Sequence, residues 1–166
     1  MKKGIYTSLL LATLSFGGVT VISNHTQPAP VEAKSVLKKT FKVGKTATYK
    51  GVSLKVNSFQ YVEPGEYDSV DEGKHFIVAN VTIKNKSRKS YDYNPYDFKL
   101  NVNGNNTDLD AYPDAVDNLL EAGTLDKGGS VTGNLAGEIK IGAPNPKLKM
   151  SVSYLDNSKN ITFTLK

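Results

Sequence analysis

Acidic side chains concentrate in two stretches that lack a regular apolar pattern, residues 63–73 and 103–124. Carboxylate oxygens are ligands that calcium prefers, so the second stretch could hold a divalent cation. The candidate metal ligands are Asp108, Asp110, Asp114 and Asp117. Their spacing is not that of the helix–loop–helix calcium loop, and solvated loop carboxylates explain the same residues. A calcium-binding domain, or a cation-dependent hydrolase that uses both acidic loops, is therefore the alternative interpretation of this chain.

The residue types that most enzymes use as nucleophiles or general bases are scarce. The chain has no Cys and only two His, His25 and His75. The missing Cys excludes a thiolate zinc site, an iron–sulfur cluster and a Cys nucleophile. His75 opens the most apolar stretch without a second His nearby, which is typical of a structural residue at the start of a strand. Nothing singles out a pair of carboxylates for glycoside hydrolysis. We therefore predict no enzyme and no cofactor.

A second set of residues is suited to contact with a partner. Three tyrosines alternate with polar residues shortly after a basic run, and tyrosine combines apolar area with a hydrogen-bonding tip. The candidate binding residues are Tyr91, Tyr93, Tyr96, Lys86, Arg88 and Lys89. A structural interpretation is also open. The tyrosines would then cap one end of the fold beside Pro95, and the basic run would be a solvent-facing strand end that discourages edge pairing.

Period-two alternation of apolar residues dominates after residue 40 and predicts β-strands. The apolar positions change from even numbers at 52–56 to odd numbers at 59–61, which predicts a β-bulge near Asn57–Ser58. The strongest strand is Phe76–Ile83. Its first half is apolar on both faces, so another sheet or a loop should cover it. Two glycines, Gly133 and Gly137, should break a later strand.

About seven strands at even spacing favour an all-β fold, an immunoglobulin-like antiparallel β-sandwich. A small closed barrel is the competing architecture. Residues Ala111–Glu121 carry an apolar stripe with Pro113 in the first turn, which predicts one short helix in the long loop. The last strands should end near Tyr154 and Leu165, with a turn at Asp156–Asn157 between them.

The N-terminal residues resemble an export signal. Lys2 and Lys3 precede an uncharged, leucine-rich stretch, and small residues lead to a cleavage position after Ala33. An uncleaved membrane anchor is the alternative. The predicted organisation is a signal peptide at 1–33, an N-terminal basic segment at 34–43 and a sandwich domain at 44–166. The product should be secreted, and cell-wall association is compatible with its charge.

The formal net charge of the chain is +5, carried by scattered residues. A mild positive charge suits contact with an anionic polymer, and it is too scattered to indicate nucleic acid. The expected partner is therefore an extracellular or surface protein, or an anionic cell-wall polymer. We expect no stable membrane span once the signal peptide is removed.

The order of signals from Gly44 to Lys166 provides a further indication. Its segments are Gly44, Val52–Val56, Gly73–Val78, Val81–Asn85, Phe98–Leu100 and Leu125–Gly133. This order resembles the secreted bacterial immunoglobulin-like domains of unknown function, to which the sandwich of the mycobacterial secreted immunoprotective antigen is related. The resemblance implies an exported sandwich and brings no catalytic residues. We predict an exported, non-enzymatic binding or interaction module that acts outside the cell or at the cell wall.

Overall fold

Alternating apolar residues build strands throughout the part of the chain that the computed structural model describes, residues 40–152 and 160–166. Seven strands in these residues have four or more residues, and four are shorter. The strands are β1 (Thr40–Lys42), β2 (Thr46–Tyr49), β3 (Val52–Val62), β4 (Lys74–Asn85), β5 (Tyr91–Tyr93), β6 (Phe98–Val102), β7 (Asn105–Thr107), β8 (Gly123–Leu125), β9 (Ser130–Lys140), β10 (Lys147–Ser151) and β11 (Asn160–Thr164).

The strands form two main sheets and a small ribbon. One sheet has the order β1-β11-β10-β6-β7, the other has the order β2-β3-β4-β9, and β5 pairs with β8. The pairs are antiparallel except β1 with β11, where Phe41 lies in parallel register with Phe163. Inward side chains from both sheets, such as Leu54 and Leu148, share one core. This arrangement confirms the all-β sandwich and is not a closed barrel.

The bulge is present where the change of apolar phase predicts it. The pairing of β3 with β4 shifts between Val56 and Ser58. The extra residue, Asn57, donates from its side-chain amide to Asn80 and Thr82 on β4, at 2.8 Å in each case. These hydrogen bonds use the polar group that the bulge turns towards the outer face of the sheet.

The outer face of β4 is covered as predicted. Phe76 and Val78 are buried there with Ala136 of β9, in a cluster separate from the main core. Val116 covers this cluster from the segment 108–122, which connects β7 to β8. The first half of β4 is thus covered on both faces, by the main core on one side and by the segment 108–122 on the other. This explains why its residues are apolar on both faces.

The predicted helix at Ala111–Glu121 is wrong, because this segment has turns and no helix. Its backbone bonds along β9 instead: the Ala111 amide donates to the Ala136 carbonyl and the Leu120 amide to the Asn134 carbonyl. The backbone amides of Ala111 and Leu120 already have hydrogen-bond partners on β9. A helix in this segment would have to break these hydrogen bonds. The one helical turn of the described residues is a 3₁₀ helix at Pro95–Asp97.

The prediction that Gly133 and Gly137 break a strand is also wrong, since β9 runs without interruption through both. We call residues 108–122 the crossing segment. Each glycine leaves space for one leucine of this segment. A methyl group on Gly133 would lie 2.9 Å from the Leu120 Cα, and one on Gly137 would lie 2.9 Å from a Leu109 methyl. The two leucines thus supply the core side chains that β9 lacks.

Several predictions lie outside the described residues. These are the signal peptide at 1–33, the strand end at Tyr154 and the turn at Asp156–Asn157. Strand β1 falls within the predicted basic segment 34–43 and already belongs to the five-stranded sheet. Within the described ranges, the structure contains no apolar helix of the length needed to traverse a bilayer.

Candidate functional site: a cleft between two sheet edges

A cleft lies between β7, at the edge of the five-stranded sheet, and β9, at the edge of the four-stranded sheet. It consists of two adjoining hollows of about 470 and 760 Å³ that share Lys74, Thr107 and Glu138. We call it the edge cleft. The segment after β7 meets β9 at Gly137, and its backbone bonds to β9 are at Asn134 and Ala136, so it does not cover the Glu138–Lys140 part of that edge.

The two hollows differ in chemistry. The apolar half is lined by aliphatic side chains from both sheets, including Val102, Ile139 and Ile141. The acidic half holds five carboxylates and one lysine in the described residues. Its carboxylates are those of Asp68, Asp108, Asp110, Asp114 and Glu138. A ligand that fills both halves would therefore need an apolar group beside a cationic one.

Exposed apolar area concentrates around this cleft. In the part of the chain that the structure describes, five large apolar or aromatic side chains are exposed, and three of them line the edge cleft. Tyr67 is 84% exposed and Tyr112 is 72% exposed in the acidic half, while Ile141 is 63% exposed in the apolar half. Exposed aromatic residues grouped around a hollow are typical of interaction sites.

An ion-pair group separates the two halves. The Lys74 ammonium contacts Asp71 and lies 2.9 Å from a Glu138 carboxylate oxygen. The hydrogen bond from Lys74, aided by its positive charge, lowers the pKa of Asp71. Hydrogen bonds to Asp71 and Glu138 raise the pKa of Lys74. Each shift in pKa favours the charged form of its group.

The two acidic loops contact each other directly. Asp68 accepts hydrogen bonds from the Gly65 amide, at 2.8 Å, and from the Asp114 amide, at 3.1 Å. The bond from Asp114 connects the loop between β7 and β8 to the loop between β3 and β4, and the bond from Gly65 orders the β3–β4 loop itself. The acidic half is consequently walled by both loops.

The predicted metal ligands are only partly brought together. Asp108, Asp110 and Asp114 line the acidic half, whereas Asp117 lines a different hollow beside Leu120. Asp108 also forms an ion pair with Lys99. Among the described residues, no three His, Cys, Asp or Glu side chains form a group that could hold a metal ion.

The predicted tyrosines and the basic run lie outside the edge cleft. Tyr91 and Tyr93, on β5, are half-buried against the main core. Tyr96 is 64% exposed and lines a hollow on the outer face of the five-stranded sheet. The basic residues are exposed in the turn between β4 and β5 and do not line that hollow; they are Lys86, Arg88 and Lys89.

Lysines gather on the outer face of the five-stranded sheet. Lys99 and Lys149 stand directly opposite each other on β6 and β10, and Lys147 follows on the same face of β10. Their orientation follows from the burial of Leu148 and Met150, which point to the core from the alternate positions. We call these three residues, with Lys42 of β1, the lysine face.

His75 is the second residue of β4 and has a structural environment. Its ring stacks on Tyr61 with 4.7 Å between the ring centroids. Its Nδ1 lies 3.6 Å from a Glu63 carboxylate oxygen. This packing agrees with a structural role at the start of the strand.

The two main sheets packed around one core define a β-sandwich domain, and the edge cleft lies between one edge of each sheet. The family model described as "Domain of unknown function (DUF4352)" matches residues 41–160. The chain therefore belongs to this family. The match includes every strand named above from Phe41 to the start of β11. No curated protein matches the chain by sequence.

Solved structures of bacterial proteins share the fold. The chain is similar to YcdA of Bacillus subtilis, a candidate lipoprotein, with a TM-score of 0.63 and 24% identity over 73% of this chain and 38% of that one. It is similar to YjhA of the same species, with a TM-score of 0.57 and 20% identity over 76% and 100% of the two chains. The chain thus spans well under half of YcdA and all of YjhA.

A secreted mycobacterial protein has the same architecture. The chain resembles the secreted protein MPT63 of Mycobacterium tuberculosis, with a TM-score of 0.55 and 17% identity over 77% of this chain and 96% of that one. This finding confirms the predicted resemblance to secreted bacterial sandwich domains. At such identities the likeness concerns the fold alone.

Proposed function

We propose that this protein is an exported, non-enzymatic interaction module that binds a segment of an extracellular or surface protein in the edge cleft. The observation that carries the proposal is the position of Tyr67, Tyr112 and Ile141, which expose their side chains around one cleft. Export is supported by the order of charged, apolar and small residues in 1–33. It is also supported by the secreted and lipoprotein descriptions of the structural relatives.

The chemistry of the cleft supports a protein segment as the ligand. An apolar half beside an acidic half suits a chain that presents an apolar side chain and a basic side chain close together. Tyrosine rings at the rim add contact area at a low cost in side-chain entropy. The acidic half is also where the alternative function, calcium binding or cation-dependent hydrolysis, would have to take place. Against that alternative, the carboxylates there do not form a three-residue metal group.

The test is a pull-down of extracellular and wall fractions with the purified protein and two variants. The first variant carries Tyr67→Ser, Tyr112→Ser and Ile141→Ser. The control is Tyr96→Ser, which removes a tyrosine that is also largely exposed but lies outside the edge cleft. We expect one saturable protein partner that the first variant loses and the control retains. Retention by the first variant with loss by Tyr96→Ser would overturn the edge cleft as the site.

Retention on an anionic cell-wall polymer is a second candidate function, favoured by the lysine face. Lys147 and Lys149 lie on the outer face of β10, where a polyanion can pair with both positive charges. We expect binding to wall fragments to weaken as salt rises. It should weaken further in a Lys147→Glu/Lys149→Glu variant, and Lys86→Glu/Lys89→Glu is the matched control. Binding that is insensitive to salt and to Lys147→Glu/Lys149→Glu would contradict this candidate.

A further inference from the structure

The outer edge of β9 is completed by the chain itself along only part of its length. The Leu120 amide donates to the Asn134 carbonyl at 2.8 Å, and the Asn134 amide donates to the Asn118 carbonyl at 2.8 Å. The Ala111 amide donates to the Ala136 carbonyl at 3.1 Å. The crossing segment thus acts as a partial neighbouring strand, and its last bond to β9 is at Ala136.

The direction of the next backbone groups follows from the antiparallel ladder. Residues of an edge strand alternate between those that bond to the inner neighbour and those that point away from it. The backbone groups of Asn134 and Ala136 point away from β4, so those of Glu138 and Lys140 do so as well. The Lys140 carbonyl accepts from the Ala143 amide at 3.0 Å, so the groups left for a neighbouring strand are the Glu138 amide and carbonyl and the Lys140 amide. The Ile141 amide belongs to the other set, because it donates back to the Gly73 carbonyl at 3.0 Å. Among the described residues, β4 is the only strand paired with this end of β9.

This open edge borders the edge cleft. Glu138 belongs to both halves of the cleft, and Ile139 and Lys140 line the apolar half. Ile139 is buried towards the core, whereas its two neighbours on β9 face outwards. A strand laid beside this edge would place one side chain over the apolar half and the next one towards the acidic half.

We propose that the partner's bound segment is an extended peptide that pairs with the Glu138–Lys140 edge of β9 and carries a basic residue next to an apolar one. This inference rests on the proposed function of the edge cleft and specifies its ligand. Main-chain hydrogen bonds to an exposed sheet edge supply affinity, and pockets for alternate side chains supply specificity. The apolar side chain contacts Val102 and Ile139, and the basic one faces Asp110 and Asp114 of the acidic half.

The test uses short synthetic peptides chosen from a random display library by binding to the full protein. Two forms of the best peptide are made, each N-methylated on alternate residues, one form on the odd positions and the other on the even positions. A strand beside β9 donates from alternate amides only. We expect one form to lose at least about tenfold in affinity, because a methylated donor leaves a carbonyl of β9 unpaired. The other form should bind like the parent peptide.

A protein variant tests the same edge from the other side. Lys140→Pro removes an amide that points away from β4, a position where an edge strand tolerates proline. Lys140→Ala removes the same lysine side chain and keeps this amide, so it is the matched control. We expect at least about tenfold weaker peptide binding for Lys140→Pro than for Lys140→Ala. Melting temperatures of the two variants establish that both are folded.

The outcomes separate this inference from the proposed function. Equal effects of the two methylation patterns, or equal binding by the two Lys140 variants, would overturn pairing with the edge. The proposed function would still stand if Tyr67→Ser/Tyr112→Ser weakened binding. Binding unaffected by those tyrosines would overturn both. A library that yields no binder also contradicts edge pairing, since backbone recognition tolerates many sequences. A dimer that Lys140→Pro dissociates would make a second copy of the chain the occupant and overturn the peptide.

Discussion

Leu120 lies over the backbone of Gly133, so close that a methyl group on the glycine would come within 2.9 Å of the leucine Cα. This contact fixes the crossing segment 108–122 onto β9. Because the same segment supplies Asp108, Asp110 and Tyr112 to the edge cleft, the cleft depends on a glycine that lies outside it.

We expect Gly133→Ala to destabilise the protein by about 1–3 kcal/mol, because the added methyl group overpacks the contact with Leu120. Urea unfolding measures the change in free energy of unfolding. The matched control is Gly65→Ala, where the nearest atom lies 3.4 Å away in an exposed loop. An unchanged unfolding midpoint for Gly133→Ala would show that the crossing segment is not fixed by this contact.

Tyr93 and Tyr96 should respond differently to truncation. Tyr93 is half-buried against the main core, and a methyl group on Gly123 of β8 would lie 2.6 Å from its hydroxyl. We expect Tyr93→Ala to cost about 1–3 kcal/mol of stability, and Tyr96→Ala to change it by less than about 0.5 kcal/mol. Thermal unfolding of both variants measures this difference. Equal stability of the two would contradict a structural role for Tyr93 and favour a shared contact surface.

The ion-pair group around Lys74 should make stability depend on pH at both extremes. The lowered pKa of Asp71 means that its contribution is present above the usual carboxyl pKa of about 4 and is lost as pH falls through the lowered value. The raised pKa of Lys74 means that its contribution is present below the usual lysine pKa of about 10.4 and is lost as pH rises through the raised value.

Lys74→Met removes both ion pairs and tests this dependence. The melting temperature of the natural protein should exceed that of the variant between these limits, and the two should converge at either extreme. Both carboxylates are partly or largely exposed, so the difference should be small and should shrink in high salt. Lys140→Met, on the lysine opposite Lys74 in β9, is the matched control. A difference that is constant with pH would contradict the role of the ion pairs.

Calcium should leave the melting temperature unchanged. Asp68 is occupied by two backbone amides and Asp108 by Lys99, so the acidic half does not present a set of free ligands. A cation that bound the folded protein would raise the melting temperature by mass action. Calorimetric titration with calcium, followed by thermal unfolding with and without it, measures both effects. Heat of binding together with a higher melting temperature would support the cation-dependent alternative.

The strands and the bulge could be predicted because their signal is local. Side chains alternate along each strand, and the change from Val56 to Phe59 marks the extra residue directly in the sequence. The cover over Phe76 and Val78 was predictable for the same reason, since a strand that is apolar on both faces needs two layers.

The crossing segment could not be predicted from such a local pattern. Its apolar residues recur at a helical spacing, but Leu120 enters the main core while Val116 covers the outer face of β4. The small side chain of Gly133 indicates a close approach of some kind, yet only the folded chain shows that Leu120 is the neighbour. Helix propensity was therefore overridden by contacts with a strand that comes later in the chain.

The edge cleft was only partly visible in the sequence. The two acidic loops could be identified by composition and length. Their meeting through Asp68 and Asp114 depends on the order of strands in the sheets. Tyr67 and Tyr112 could have been noted as aromatic residues within acidic loops, but they are far apart along the chain and become neighbours of one cleft only in the fold.

The parallel pairing of β1 with β11 has a mechanical consequence. Parallel strands place the leading end of β1 and the trailing end of β11 at opposite ends of the pair, with Thr40 beside Thr162 and Lys42 beside Thr164. A pulling force applied between these two ends acts along the strands. It therefore loads the hydrogen bonds of the pair together, in shear, instead of opening them one after another. If the domain were pulled from both ends of the chain, the hydrogen bonds of this short parallel pair would together resist the force.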